Sequence, residues 1–382
     1  MKNRWLPLLL TLLILPALTA CEPTEEDPTE STTAYEIWAL DQGTNLLYIY
    51  DDRRELSETV DLGAKGIITP HMISFSQNHD YAVIASTGSG DVAILRTEDR
   101  EILEIIPTGP RTHMASFTLD DSRIIVDVIG SPDVFRDGTI LEIDVDLSME
   151  TFTVGRSLVL AEDPLIANNF ENFRDTAPIC HEYNGQGQAL ITLGPGLADG
   201  GLVVLDIEDF ELVHALGPEE IQANCGTVPT ADRRKMILTG GSEEIGVWYV
   251  IDTETFEIIK EEDTGGLDAH GVWLTPDGSE FWLVNRFSKD GIIIDATTFE
   301  ITETIPDVGG TPDILAMGPT GEYAYISLRG PNPKSGAHLA IGDNPGFSVI
   351  DLRTRQLVEV IEPDRGNGLS DFHGIAVRSL ID

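Results

Sequence analysis

Basic residues are scarce in this chain: 24 Lys+Arg stand against 65 Asp+Glu, for a formal charge of -41 over 382 residues. Phosphate recognition needs a basic footprint, so nucleic acid is excluded as a partner. Docking on anionic lipid through a polybasic patch is excluded for the same reason. Beyond the N-terminal leader no stretch of eighteen apolar residues occurs that would span a bilayer as a helix. Long segments of 3.6-residue period between the strand-like segments are missing, which argues against an α/β fold. There is no G-x-S-x-G, H-E-x-x-H or Walker motif, and no D-x-D-x-D-G calcium loop. The glycine-rich run Gly194 to Gly200 has no helix after it to bind phosphate. Cysteine is down to three residues and histidine to eight, so the position of each one carries weight. Apolar content, at 41%, is still enough for a large core.

The first 21 residues read as an export leader. Lys2 and Arg4 form a positive start, Trp5 to Leu18 is largely apolar, and the segment ends Leu18-Thr19-Ala20-Cys21. That ending resembles the bacterial lipobox, which implies lipidation of Cys21 and cleavage before it. Residues 22–34 (EPTEEDPTESTTA) are acidic and Pro/Thr-rich, the composition of a disordered tether. The chain is therefore expected in a bacterial cell envelope, held by lipid and facing the periplasm or the cell surface.

The remaining 348 residues repeat one phrase seven times, about fifty residues each. A β-branched strand leads to a polar turn and a second strand, as in YVIDTETFEIIKEEDTG from Tyr249 and SVIDLRTRQLVEVIEPDRG from Ser348. The turns open at Asp51, Arg96, Asp144, Asp206, Asp252, Asp295 and Asp351. A short carboxylate there can accept backbone N–H bonds, so these aspartates read as structural. A second phrase precedes the later copies, as in HMISFSQNHDYAVIAS from His71 and HGVWLTPDGSEFWLVN from His270. Four short strands per unit predict an all-β, seven-bladed propeller over residues 35–382. The final strand, near His373 to Leu380, is expected to pair with the N-terminal blade and close the ring.

The turn Val250-Ile251-Asp252 with Thr255, and Leu274-Thr275-Pro276-Asp277-Gly278, resemble the YVTN-type seven-bladed propellers of exported bacterial proteins. That resemblance implies the fold over nearly all of the mature chain and leaves function open, because propellers host binders, enzymes and scaffolds alike.

Aligned on their polar turns, the units bring one residue each to the start of an inner strand: His71, His113, Cys225, His270, Asp313 and His373. Cys180 or His181 comes from the irregular third unit. Inner-strand starts converge at one mouth of the central channel, so five of the eight histidines are expected there. His79, His214 and His338 lie elsewhere. Most neighbouring positions are 42 to 45 residues apart, with 60 between Asp313 and His373. The extra residues fall in 130–139, 156–178 and 330–346, predicted to cover the same mouth. Imidazole suits zinc and copper, which makes His71, His113, His181, His270, Asp313 and His373 the candidate ligands. Asp268 and Asp371 lie two residues before a ring histidine and are expected to orient it. Binding is expected to weaken below about pH 6 as the imidazoles protonate. Cys180 and Cys225, in an oxidising compartment, are expected to form a disulfide, with thiolate ligation of a metal as the alternative.

Three functions follow. The first is an envelope metal-binding propeller, a metallochaperone or storage protein. The placement of its histidines resembles that in nitrous-oxide reductase and in periplasmic zinc metallochaperones, without the double-histidine clusters of the one or the histidine-rich loop of the other. The second is a non-catalytic monomeric scaffold for a periplasmic or surface protein, or for a glycan. The third is a propeller hydrolase or oxidase using Asp268, His270, Glu182 or Asp313, though no spacing selects its reaction.

Overall fold

The computed structural model describes residues 1–2, 33–134, 136–170, 176–194, 200–336 and 340–381. Residues 3–20 of the leader, Cys21 and residues 22–32 lie outside these, as does His338. Among the described residues, 28 strands form seven four-stranded antiparallel sheets arranged as propeller blades. Blade 1 closes the ring: the C-terminal strand Phe372–Ser379 pairs with Tyr35–Asp41, which is followed by Leu46–Asp51 and Leu56–Asp61. The other six inner strands are Pro70–Phe75, Thr112–Phe117, Ala177–Tyr183, Thr227–Pro229, Ala269–Leu274 and Pro312–Met317. No helix among the described residues is long and apolar enough to cross a membrane.

Each sheet is covered on both faces by its neighbours, so the second and third strands of a blade are almost wholly apolar. Arg123–Val128 (RIIVDV) and Asp290–Asp295 (DGIIID) are examples. Seven apolar cores fill the seven gaps between blades. The gap that closes the ring is rich in aromatics, with Tyr35, Tyr48, Tyr50, Tyr325, Phe347 and Phe372. There the Tyr35 and Tyr325 hydroxyls meet at 2.7 Å. Outer strands alternate with solvent and carry the acidic excess, as in Ile258–Asp263 (IIKEED).

The turn aspartates act as read, with one shift of register. Asp252 Oδ1 accepts from the N–H groups of Glu254 and Thr255, both at 3.0 Å. Asp206, Asp295 and Asp351 make the same kind of bond. In blade 3 the turn belongs to Asp146, which accepts from Ser148 and Met149 N–H. Asp144 lies two residues earlier in the strand Thr139–Asp146, paired with Thr153. A longer third strand moved the turn.

Of the insertions, 330–346 reaches the channel mouth, where Lys334, Ser335 and Gly336 line the cavity. The described part of 156–178 does not cover the mouth. Its short helix Pro164–Asn169 follows Asp163, whose side chain caps it through Leu165 N–H, and Ile166 and Phe170 pack into the core between blades 3 and 4.

Candidate metal centre at the channel mouth

The ring residues share a backbone device. In six of the inner strands the register with the second strand slips near the start, and the slip falls on His71, His113, Ile179, His270, Asp313 and His373. Such a bulge bends a strand and re-aims a side chain, here into the channel. In blade 5, Cys225 holds the equivalent place just before its strand, where Asn224 and Cys225 N–H both bond to Thr239 O. Glycines follow three of these residues because the next blade comes close. A Cβ on Gly271 would lie 2.3 Å from Asp313 O, and one on Gly374 2.5 Å from His71 O.

Blade 4 therefore offers Ile179 to the ring, not Cys180 or His181. His181 points between blades, where the equivalent residues Ile73 and Ala115 are core side chains. It takes Asp127 and Ser116 as partners there, so it is removed from the ligand set.

The imidazoles that remain are set by their second nitrogens. His71 Nδ1–H donates to Gln42 Oε1 at 2.8 Å, and Gln42 Nε2–H donates to Asp371 Oδ2 at 2.9 Å, which fixes which way the amide points. His113 Nδ1–H donates to the Ile179 carbonyl at 2.8 Å, and His373 Nδ1–H to the His71 carbonyl at 3.1 Å. Each ring is thus held as the tautomer with its lone pair on Nε2. His71 Nε2 and His113 Nε2 then face one another at 3.0 Å with no proton between them. The His373 ring stacks on His71, centroids 3.6 Å apart. Burial lowers the proton affinity of His71 and His373 well below the usual imidazole range, and that of His113 to about 4.

The opposite wall is ionic. His270 stands between Cys225 and Asp313, with Nδ1 2.5 Å from Cys225 Sγ and Nε2 2.7 Å from Asp313 Oδ1. The candidate ligand atoms of His270, Asp313 and His373 lie within 4.8 Å of one another. Asp313 also pairs with Arg329 and, at 3.4 Å, with Arg286. Burial works to raise the Asp313 proton affinity, but the surrounding imidazoles and the two guanidiniums overcome it, and it stays ionised.

Three expectations change here. Asp268 does not hold an imidazole; it accepts from Arg286 Nε at 2.7 Å. Asp371 binds Arg329 and reaches a histidine only through Gln42, and that histidine is His71 rather than His373. The disulfide is corrected as well: Cys180 and Cys225 are separate buried thiols. The Cys225 sulfur turns to His270, and the Thr192 hydroxyl bridges the two cysteine carbonyls at 3.2 and 2.6 Å. The sequence reading also missed Arg286, Arg329 and Gln42. The two arginines share one repeat position, the residue after the second strand of blades 6 and 7 (LVNR and ISLR). A cation repeated there in so acidic a chain was the available signal. His71, His113, Ile179, Cys225, His270 and His373 line a cavity of about 410 Å³.

No protein-family model matches the chain, and no curated protein matches it. Solved structures do. A functionally unknown protein from Desulfotomaculum acetoxidans is 12% identical with TM-score 0.65, covering 92% of this chain and 100% of that one. The hydrazine synthase of Kuenenia stuttgartiensis is 12% identical with TM-score 0.58, covering 89% and 99%. Dihydro-heme d1 dehydrogenase NirN, in complex with DHE, is 15% identical with TM-score 0.57, covering 94% and 77%. At such identities the likeness is one of fold, and the class it defines is the seven-bladed β-propeller.

Proposed function

We propose that the channel mouth binds a divalent transition metal, zinc or copper, with His71 and His113 as the leading ligands. The observation that carries this is the pair of Nε2 lone pairs facing each other at 3.0 Å while both Nδ1 hydrogens are committed elsewhere. Two such lone pairs repel unless a proton or a cation lies between them, and burial disfavours the proton. Nitrogens bound to one ion at about 2.0–2.1 Å stand roughly 2.9–3.4 Å apart, so little movement is needed. Donation of the second ring N–H to an amide or carbonyl oxygen is the usual support of a metal-bound imidazole. His373 is the third donor; His270 and Asp313 join if the ion displaces the hydrogen bond between them.

Calorimetric titration of the chelator-stripped protein with zinc and with copper(II) is expected to give a stoichiometric site. His71→Gln/His113→Gln should abolish it. Equal heats from wild type and variant would make the pair a structural contact and favour the scaffold function. We further infer a YVTN-type exported lipoprotein anchored at Cys21, from the Leu18-Thr19-Ala20-Cys21 ending and the acidic segment after it. Cys21→Ser should move the protein from membrane to soluble fractions, and retention in the membrane would refute the anchor.

A further inference from the structure

A second cavity, of about 400 Å³, opens at the other end of the channel, below Cys180 and Ile314, which line both. Ser116 and Tyr183 stand in its wall. Ser116 Oγ lies 2.7 Å from His181 Nε2, and His181 Nδ1 lies 2.7 Å from Asp127 Oδ2. The Tyr183 hydroxyl also lies 2.9 Å from Ser116 Oγ and 3.2 Å from His181 Nε2, so the shorter Ser116–His181 contact is one of two the serine hydroxyl can make, and the following order serves attack by Oγ. Asp127 is a carboxylate, so His181 Nδ1 carries the proton and donates. Nε2 is then an acceptor, and the Ser116 hydroxyl donates to it. Tyr183 OH donates to the Ser116 carbonyl at 2.9 Å, and burial holds its phenol well above the usual range, so it remains a donor. His181 and Asp127 have no exposed surface, while Ser116 is partly open to the cavity.

Three features resist a purely structural account. An imidazole takes a place where the two preceding blades put Ile73 and Ala115, so a polar group was buried where an apolar one fits. Asp127 replaces the threonine found in the next two blades, Thr192 and Thr239, whose hydroxyls donate to backbone carbonyls. Its Oδ1 is buried with no hydrogen-bond partner, a cost that falls when His181 beside it gains a positive charge.

We propose that Ser116, His181 and Asp127 form a nucleophilic triad that hydrolyses carboxylic esters with an apolar acyl group. Met72, Phe75, Met114, Phe117, Val272 and Leu315 supply the apolar wall for that group. Ser116 Oγ attacks the ester carbonyl carbon and gives its proton to His181 Nε2. The carbon–oxygen bond to the alcohol breaks, and His181 returns the proton to the departing oxygen. Water, deprotonated by His181, then attacks the acyl-serine; the acid leaves and Oγ regains its proton. Asp127 is a positioning residue that holds the tautomer and faces the imidazolium. Arg233, the cation lining this cavity, is fixed by Glu182 at 3.0 Å and by the Tyr183 carbonyl at 2.6 Å, and it meets the developing negative charge.

The test is covalent labelling with a fluorophosphonate, read by intact mass and peptide mapping, beside hydrolysis of p-nitrophenyl butyrate. One adduct on Ser116 is expected, absent from Ser116→Ala. Asp127→Asn keeps the shape and should slow hydrolysis about 10²–10⁴-fold, which serves if His181→Gln fails to fold. Ser116→Ala should leave the zinc titration unchanged, so this proposal and the metal site fail separately. Absence of an adduct on the folded wild type, or an equal one on Ser116→Ala, overturns the triad and leaves a structural hydrogen-bond chain.

Discussion

Arg329 has no exposed surface and spends its guanidinium on Asp313, Asp371 and Ser335. Removing it would take the shared guanidinium from two buried carboxylates, leaving Asp313 with Arg286 and His270 and Asp371 with no ion pair among the described residues. Arg329→Met is therefore expected to cost about 3–5 kcal/mol, seen as a lower urea midpoint. Arg329→Lys should recover only part of this, because an ammonium cannot fork between two carboxylates. The ring histidines set a pH response of their own. For His71, His113 and His373, burial holds the folded proton affinity below the unfolded value of about 6.5. Their contribution to stability is thus complete above that pH and is lost as pH falls toward the folded value, about 4 for His113. The metal-free protein should lose denaturant resistance across that window, and His71→Gln/His113→Gln should flatten the loss. Proton competition with a bound ion shifts downward in the same way, so half-loss of metal is expected well below the pH 6 that an exposed imidazole would give. Half-loss near pH 6 would show that the rings are more hydrated than their burial implies.

At the scale of the strand and turn, the Asp-led turn is what made the architecture readable. One carboxylate in each of several blades closes the outer hairpin, and its register could be followed along the chain. Backbone N–H donors, Thr298 and Thr255 foremost, hold Asp295 and Asp252 below the ordinary carboxylate range. Asp252→Ala should cost about 1 kcal/mol. In blade 3 the contrast is one of direction: Asp146→Ala should lower the melting temperature, and Asp144→Asn should leave it almost unchanged. Thermal melts of the two proteins decide it, and equal shifts would put the turn back at Asp144. The same hairpin alignment erred at the inner strand. The polar turn sets the far end of that strand, but the bulge near its start decides which residue enters the channel. Counting from the turn therefore fitted His71, His113, His270, Asp313 and His373 and missed Ile179, where the longer strand Ala177–Tyr183 carries the bulge. The partners of Asp268 and Asp371 were beyond reach too, since nothing in a repeat tells that Arg286 and Arg329 fold inward beneath the 330–346 loop.

For the whole molecule, closure of the ring rests on the strand Phe372–Ser379. Deleting 372–382 would remove Phe372 and Ile375 from the aromatic core between blades 7 and 1 and leave Tyr35–Asp41 without its inner partner. An unpaired edge beside open apolar surface is expected to aggregate. Size-exclusion chromatography that returned a monomer melting like the full chain would contradict this. That same closure fixes where the chain joins the ring. Phe372–Ser379 begins at the histidine mouth and runs away from it, and Tyr35 pairs with Ser379 at its far end. Residue 33 and residue 381 therefore emerge together at the rim beside the Ser116 cavity. Both ends of the ring domain thus share the rim opposite the histidine mouth, so a label or fusion joined at residue 33 or 381 would leave that mouth unobstructed.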